Sequence, residues 1–141
     1  MKNIIIIDGR GGGIGKSLVQ QIKALLPNQP LLACGTSEAA SWAMQKAGAD
    51  YAAWGDDALQ ALVFDADLIV GPIGIVMAGA MGGEITARMA RTIAASSASK
   101  ILLPVNRCQT YIVGTGDKKL SEYIAEAAEL TVKKALDNES E

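Results

Sequence analysis

The sequence contains no histidine, which narrows the chemistry open to the protein. Histidine is the commonest general base and the commonest metal ligand in proteins. Histidine-based catalytic triads and histidine-held metal sites are therefore excluded, and we expect no bound metal. Only two cysteines are present, Cys34 and Cys108. With no histidine to activate a thiol, both are expected to be inert small residues rather than nucleophiles.

An excess of charge of one sign is also missing. The chain has 13 Lys and Arg against 15 Asp and Glu, so it lacks the basic surface that nucleic-acid binding needs. The longest uncharged stretch, residues 68–83, is broken by a proline and several glycines and is too short to span a membrane. The amino terminus has only four consecutive apolar residues before Asp8, which does not fit a signal peptide. These features predict a soluble cytoplasmic protein that binds neither nucleic acid nor a membrane.

Short apolar runs alternate with segments of helical spacing along the chain. Ile4–Ile7 shows no polar alternation, which is typical of a strand buried on both faces in a parallel sheet. Further strands are predicted at Leu31–Cys34, Tyr51–Ala53, Leu68–Val70 and Ile101–Val105, with a short strand or hairpin arm at Tyr111–Val113. This repeated alternation with short connections is the pattern of a doubly wound sheet.

The segments between the strands carry the start and stop signals of helices. The first three helices are predicted from Ile14 to Pro27, from a cap at Thr36 or Ser37 to Gly48, and after a cap at Asp56 or Asp57. A long helical region is predicted after Gly74 to about Ala98, with a break near Gly82 and Gly83. The last helix is predicted from Leu120 to about Val132. We therefore expect an α/β fold with a mainly parallel five-stranded sheet in the order 3-2-1-4-5 and helices on both faces. This Rossmann-like arrangement is expected to form a single domain over residues 1–136, followed by a frayed acidic tail at residues 137–141.

Five glycines lie between the first strand and the first helix. The segment consists of Asp8, Gly9, Arg10, Gly11, Gly12, Gly13, Ile14, Gly15 and Lys16. Glycine lets the backbone turn tightly and approach a ligand closely, and the unpaired N–H groups of a helix start attract an anion. A tight turn alone needs fewer glycines. The segment therefore predicts a binding site for a phosphate group.

Known nucleotide loops match this segment in part. The dinucleotide pattern G-x-G-x-x-G and the Walker A pattern each fail at one glycine. The spacing G-x-x-x-G-I-G from Gly9 to Gly15 resembles the nucleotide loop of short-chain dehydrogenases, with Asp8 where that family has Thr. The resemblance implies a dinucleotide-binding loop but no reductase activity, since the Tyr-x-x-x-Lys of that family is absent. Residues 12–17 are also similar to the variant Walker A loop of ParA- and MinD-like ATPases, although their signature Lys would fall on Gly11.

Three longer segments carry a resemblance that covers nearly the whole chain. IDGRGGGIGKSL, GPIGIVMAGAMGGEIT and ILLPVNRC, in this order, resemble a family of short bacterial proteins known as a domain of unknown function. This resemblance implies a Rossmann-like fold and no particular activity.

Other loops at the carboxyl ends of the predicted strands are expected to complete the site. These residues are Thr36 and Ser37 after the second strand, Gly71, Pro72, Ile73 and Gly74 after the fourth, and Asn106 and Arg107 after the fifth. NAD-binding proteins place an acid after the second strand. Because this chain has hydroxyl groups there, NADP is slightly favoured over NAD, and other nucleotides are not excluded.

Two charged residues of the loop have alternative roles. Asp8 would repel a phosphate unless Arg10, Lys16 or a cation compensates, and it could equally accept hydrogen bonds from loop amides and hold the turn. Lys16 could reach a phosphate or could simply be an exposed helix residue.

The main hypothesis is a binding domain for a phosphate-bearing ligand, a nucleotide or dinucleotide, in a sensor or subunit role. One alternative is a small metabolic enzyme that acts on a phosphorylated or carboxylated metabolite through Asp8, Lys16, Arg107 or Cys108. The other is a homo-oligomeric partner-binding subunit. For that alternative, the small residues between Ile75 and Gly83 provide either a homodimer contact or packing within the chain.

Overall fold

A computed structural model describes residues 1–105 and 109–137 of the chain. Its elements are β1 (Ile4–Asp8), α1 (Gly13–Leu25), β2 (Leu31–Gly35), α2 (Glu38–Ala47), β3 (Tyr51–Trp54), α3 (Asp56–Phe64), β4 (Leu68–Pro72), a 3-10 helix (Ile73–Val76), α4 (Ala87–Ala95), β5 (Ser99–Leu103) and α5 (Leu120–Leu136). The five strands form one parallel sheet in the order β3-β2-β1-β4-β5. The predicted fold class and strand order are confirmed.

The four isoleucines of β1 connect the two halves of the core. Ile4 and Ile6 point to one face of the sheet, where they join a cluster with residues of α1, α2 and α5. Ile5 and Ile7 point to the other face and join a cluster with residues of α3 and α4. All four are at most 1% exposed, and burying each side chain contributes about 1.5–3 kcal/mol. The unbroken apolar run of β1 is therefore explained by helices on both faces of the central strand.

The ends of α2 match the predicted signals, whereas the start of α3 does not. Ser37 caps α2 by accepting a hydrogen bond from the Ala40 amide at 3.1 Å, and Gly48 ends the helix with a φ of 123°. Helix α3 begins at Asp56, so this residue lies inside the first turn and does not cap it. The Asp56 carboxylate instead accepts a hydrogen bond from the Thr86 hydroxyl at 2.8 Å, which ties α3 to the start of α4.

Two predicted elements differ from the structure. The helical region after Gly74 breaks at Gly82 and Gly83 as expected and continues as α4, but the part before the break is only the 3-10 helix and a series of turns. Gly79, Gly82 and Gly83 all have positive φ angles that an α-helix cannot contain. Thr86 then caps α4 by accepting a hydrogen bond from the Met89 amide. Residues 111–113 form neither a strand nor a hairpin arm and lie in an irregular segment.

Gly71 lies against the backbone of Ile7 in the neighbouring strand β1, so we expect Gly71→Ala to destabilise the sheet. A Cβ at this position would overlap the carbonyl oxygen of Ile7 on the neighbouring strand. Backbone atoms cannot move aside without loss of strand pairing, and we expect a cost of about 1–3 kcal/mol in urea denaturation. Gly74→Ala is the control, since its Cβ would make an ordinary contact with Ala80 at 3.4 Å. Equal stability of the two variants would contradict this explanation of Gly71.

Candidate functional site

A cleft of about 780 Å³ opens at the carboxyl ends of β1, β4 and β5. Four segments line it: residues 8–14, Pro72 with Gly74, Ala80 with Met81, and a set from the last part of the chain that comprises Pro104, Val105, residues 110–112, Thr115 and Leu120. Its volume lies within the roughly 300–1,000 Å³ of small-molecule sites. The glycine segment and the loop after β4 therefore line the same cleft, as expected.

The glycines between β1 and α1, here called the glycine loop (residues 9–15), fall into two groups. Three are required by packing within the chain, because a Cβ at Gly9, Gly12 or Gly15 would collide with neighbouring atoms. Gly12 also has a φ of 75° and would bring a Cβ to 2.8 Å from the Ala40 Cα. Gly11 and Gly13 have no positive φ, and a Cβ on either would meet nothing within 4 Å. Packing within the described chain therefore does not require glycine at these two positions.

The Asp8 carboxylate holds the glycine loop in shape. It is 5% exposed and accepts hydrogen bonds from the amides of Gly9 and Gly15, each at 2.7 Å. Burial raises the pKa of the Asp8 carboxyl, while hydrogen bonds from Gly15, Gly9 and Ile14 act in the opposite direction and the Glu84 charge adds to the rise. Of the two roles considered for Asp8, the geometry supports the structural one.

Because Asp8 takes the amide of Gly15, part of the α1 amino terminus is already paired with an anion of the chain itself. Among the described residues, no acceptor lies at the amide of Gly11 or of Gly13. These two amides are the donors that the glycine loop leaves for a ligand.

Arg10 is fixed by contacts on both sides of its peptide unit. Its amide donates to Glu84 Oε1 at 2.8 Å, and its carbonyl accepts from the Ser37 hydroxyl at 2.7 Å. These bonds hold a φ of 55°, which is uncommon for a residue other than glycine. Arg10 is among the residues that line the cleft, and its guanidinium lies beside Gly82.

Thr36 and Ser37 were expected in the site but do not line the cleft. The Thr36 hydroxyl donates to Glu84 Oε1 at 2.8 Å, and the Ser37 hydroxyl serves Arg10 and the start of α2. NADP would bring its 2′-phosphate to the hydroxyl groups after β2, where the Glu84 carboxylate already accepts from Thr36. Like charges repel, so the preference for NADP is unsupported.

The remaining predicted site residues divide as follows. Pro72 and Gly74 line the cleft, Gly71 is buried in the sheet, and Ile73 and Lys16 are not among the lining residues. Asn106, Arg107 and Cys108 lie outside the described residues.

Nothing near the cleft in the described part of the chain supplies a thiolate or a metal site. Cys34 is buried, and desolvation, followed by the charge of Asp56, raises the pKa of its thiol to about 12. Residues 1–105 and 109–137 contain no group of three His, Cys, Asp or Glu side chains that could hold a metal ion.

Two contributions to this region escaped the sequence interpretation. The first is Glu84, to which the sequence analysis assigned no site: its carboxylate reaches the glycine loop, whereas Arg88, four residues later, contacts Asp56 and Asp57. Helix α4 begins only at Ala87, so Glu84 lies outside the helix that contains Arg88, and no local pattern in the sequence marks its contact with the glycine loop. The second contribution is Tyr111, which lines the cleft while 91% exposed.

The fold and the cleft place the protein among Rossmann-like α/β proteins with a glycine-rich loop after the first strand. The chain belongs to the family described as Domain of unknown function (DUF3842), whose match covers residues 3–136. A comparison with curated proteins finds no match.

Among solved structures, the chain is similar to the dodecameric FMN-dependent UbiX-like decarboxylase from Escherichia coli O157:H7. The two chains share 13% identity, the alignment covers 99% of this chain and 97% of the other, and the TM-score is 0.46. No helix in the described ranges is both long enough and apolar enough to cross a membrane.

Proposed function

We propose that this protein binds a phosphate-bearing ligand of the nucleotide class in the cleft, with the phosphate at the amides of Gly11 and Gly13. The observation that carries the proposal is the empty space at these two glycines. Neither packing nor backbone conformation requires glycine there, whereas a ligand that approaches the backbone closely does. A ligand held close to the backbone would account for glycine at both positions.

Charge around the cleft is compatible with a phosphate group. Arg10 is the positively charged residue among the described lining residues, its guanidinium lies beside Gly82, and an arginine can bind a phosphate through two parallel hydrogen bonds. The Asp8 carboxylate accepts hydrogen bonds from the amides of Gly9 and Gly15, and these bonds offset part of its negative charge beside a phosphate. A phosphate at Gly11 and Gly13 would also interact favourably with the positive end of the α1 helix dipole.

Matched pairs of compounds test the proposal by calorimetric titration. The pairs are adenosine monophosphate with adenosine and flavin mononucleotide with riboflavin, followed by ATP, GTP, NAD and NADP with and without magnesium. We expect at least one phosphorylated compound to bind, and in its pair the phosphate to strengthen binding by about tenfold or more, which is about 1.4 kcal/mol. If no phosphorylated compound binds, or if phosphate makes no difference in any pair that binds, the proposal is wrong.

A homo-oligomeric state is a second candidate, supported by a different part of the surface. The edge strand β3 exposes Tyr51 and Trp54, each 53% accessible, and Trp42 on the neighbouring α2 is 62% accessible. Large aromatic side chains are enriched at protein interfaces. The segment between Ile75 and Gly83 instead packs within the chain, since Met81 lies against Gly9. Sedimentation of the wild type and of Trp54→Ala tests this candidate. We expect the wild type to form an oligomer that the variant weakens. A wild type that sediments as a monomer would exclude the candidate.

A further inference from the structure

The cleft extends from the glycine loop toward β4 and β5 and away from β2. Its described lining comes from the glycine loop, from the ends of β1 and β4, from Ala80 and Met81, and from Pro104, Val105 and several residues between 110 and 120. Among the described lining residues, none belongs to β2 or α2. The open space therefore lies on one side of the glycine loop.

The other side of the glycine loop, above the end of β2, is filled by the chain itself. A Cβ at Gly9 would collide with the Thr36 hydroxyl, with the Met81 sulfur, and with Glu84 Oε1. Glu84 Oε1 accepts from both the Arg10 amide and the Thr36 hydroxyl at 2.8 Å. These contacts leave no gap between the loop and the end of β2.

The first turn of α2 also packs against this side of the glycine loop. A Cβ at Gly12 would lie 2.8 Å from the Ala40 Cα and 3.0 Å from its carbonyl oxygen, so the two backbones are already in contact. The Ser37 hydroxyl joins them through the Arg10 carbonyl at 2.7 Å. A ligand cannot pass between the glycine loop and α2 without breaking these contacts.

Dinucleotides in Rossmann folds use both sides of such a loop. Their pyrophosphate lies at the helix start, and the ribose of one nucleotide lies at the end of the second strand. In this protein Thr36, Met81 and Glu84 pack against Gly9 at the end of β2. Glu84 Oε1 already accepts from the Arg10 amide and the Thr36 hydroxyl, so these contacts occupy the place where an acid would hold that ribose.

We infer that the cleft takes a ligand with a single nucleotide unit, a phosphate and one planar ring system, and excludes dinucleotides. The inference rests on the proposed function, since it concerns the ligand of the same cleft. The phosphate lies at Gly11 and Gly13, and the ring extends toward β4 and β5.

The part of the cleft beyond the glycine loop suits a flat apolar ring. Pro72 and Gly74 line it after β4, and Tyr111 and Ile112 line it from the last part of the chain. Tyr111 is 91% exposed, so most of its ring has no protein to pack against. A ligand ring would cover part of this exposed aromatic surface, which favours binding through stacking.

Mononucleotides and the dinucleotides that contain them give a direct test. Nicotinamide mononucleotide is compared with NAD, and flavin mononucleotide with FAD, by calorimetric titration of the full chain. In each pair that binds, we expect the mononucleotide to bind at least tenfold more tightly than its dinucleotide. A dinucleotide that binds as tightly as its mononucleotide overturns this inference and leaves the proposed function standing, whereas failure of every phosphate compound overturns the proposed function itself.

The double variant Met81→Ala with Glu84→Ala removes the side chains that close the end of β2. We expect the ratio of mononucleotide to dinucleotide affinity to fall at least threefold in this variant. Glu129→Ala, which changes an exposed residue of α5, is the control and should leave the ratio unchanged. An unchanged ratio in a folded double variant would overturn the role of these two residues. If the double variant does not fold, the wild-type comparison still decides the inference.

Discussion

Replacement of Asp8 by alanine is expected to lower the free energy of unfolding by about 3–5 kcal/mol, since it leaves two buried amides without an acceptor at about 1–3 kcal/mol each. Gly9 and Gly15 donate to this carboxylate at 2.7 Å, and the side chain is 5% exposed. Water cannot easily replace the lost acceptor. Urea denaturation of the wild type and the variant measures the effect.

Asp117→Ala is the matched control for this prediction, because Asp117 is an exposed carboxylate. We expect it to change the stability by less than about 0.5 kcal/mol. An Asp8→Ala protein as stable as the Asp117→Ala protein would contradict the role of Asp8 as the support of the glycine loop.

Asp8→Asn separates the hydrogen bonds from the charge. The asparagine side chain has the size of the carboxylate, but it has only one acceptor oxygen. If that oxygen accepts from one backbone amide, the asparagine NH₂ group faces the other backbone amide, and no hydrogen bond forms there. Because burial raises the pKa of Asp8, the folded state binds its proton more tightly than the unfolded state, and this contribution declines as pH rises above about 3.8. Asn does not titrate, so the stability deficit of the variant should shrink between pH 4 and pH 7. A deficit that grows over this range would show that the pKa is lowered instead.

Gly13→Val is expected to remove ligand binding while the protein stays folded. Gly13 is the first residue of α1, its φ is not positive, and a Cβ there meets no atom within 4 Å. Valine has a somewhat better helix propensity than glycine, so the stability should change by less than about 1 kcal/mol. The side chain would occupy the space of the phosphate, and we expect affinity for the best phosphorylated compound to fall at least about 100-fold, or about 2.7 kcal/mol.

Ala87→Val is the control for this substitution, because it places the same side chain on the exposed first residue of α4, away from the cleft. It should leave affinity unchanged. Gly13→Ala is expected to give an intermediate loss. Full binding by a folded Gly13→Val protein would contradict the position proposed for the phosphate.

The sheet could be predicted from the sequence because its signals are local. The β-branched run Ile4–Ile7 has no polar alternation, and the parallel sheet buries both of its faces. Ser37 and Gly48 mark the ends of α2 through hydrogen bonding and backbone conformation that depend on near neighbours.

The surroundings of the glycine loop could not be predicted in the same way, because they depend on contacts between distant residues. Glu84 binds the Arg10 amide across 74 positions of the chain. No local pattern shows that this carboxylate turns away from Arg88, or that it fills the end of β2. The sequence also does not show which glycines are needed for packing. Gly12 and Gly13 are adjacent, yet a Cβ at Gly12 would collide with Ala40, whereas a Cβ at Gly13 would meet open space.

A titration of nitrogen-15-labelled protein, observed through its backbone amide resonances, tests the central claim most directly. Adenosine monophosphate and flavin mononucleotide are added in turn, with adenosine and riboflavin as the unphosphorylated controls. For at least one pair, the phosphorylated compound should shift the amides of Gly11 and Gly13 strongly, while Gly9 and Gly15, which are bonded to Asp8, shift less. Equal shifts with the unphosphorylated partners, or unmoved Gly11 and Gly13 resonances with all compounds, would contradict a phosphate site at this loop.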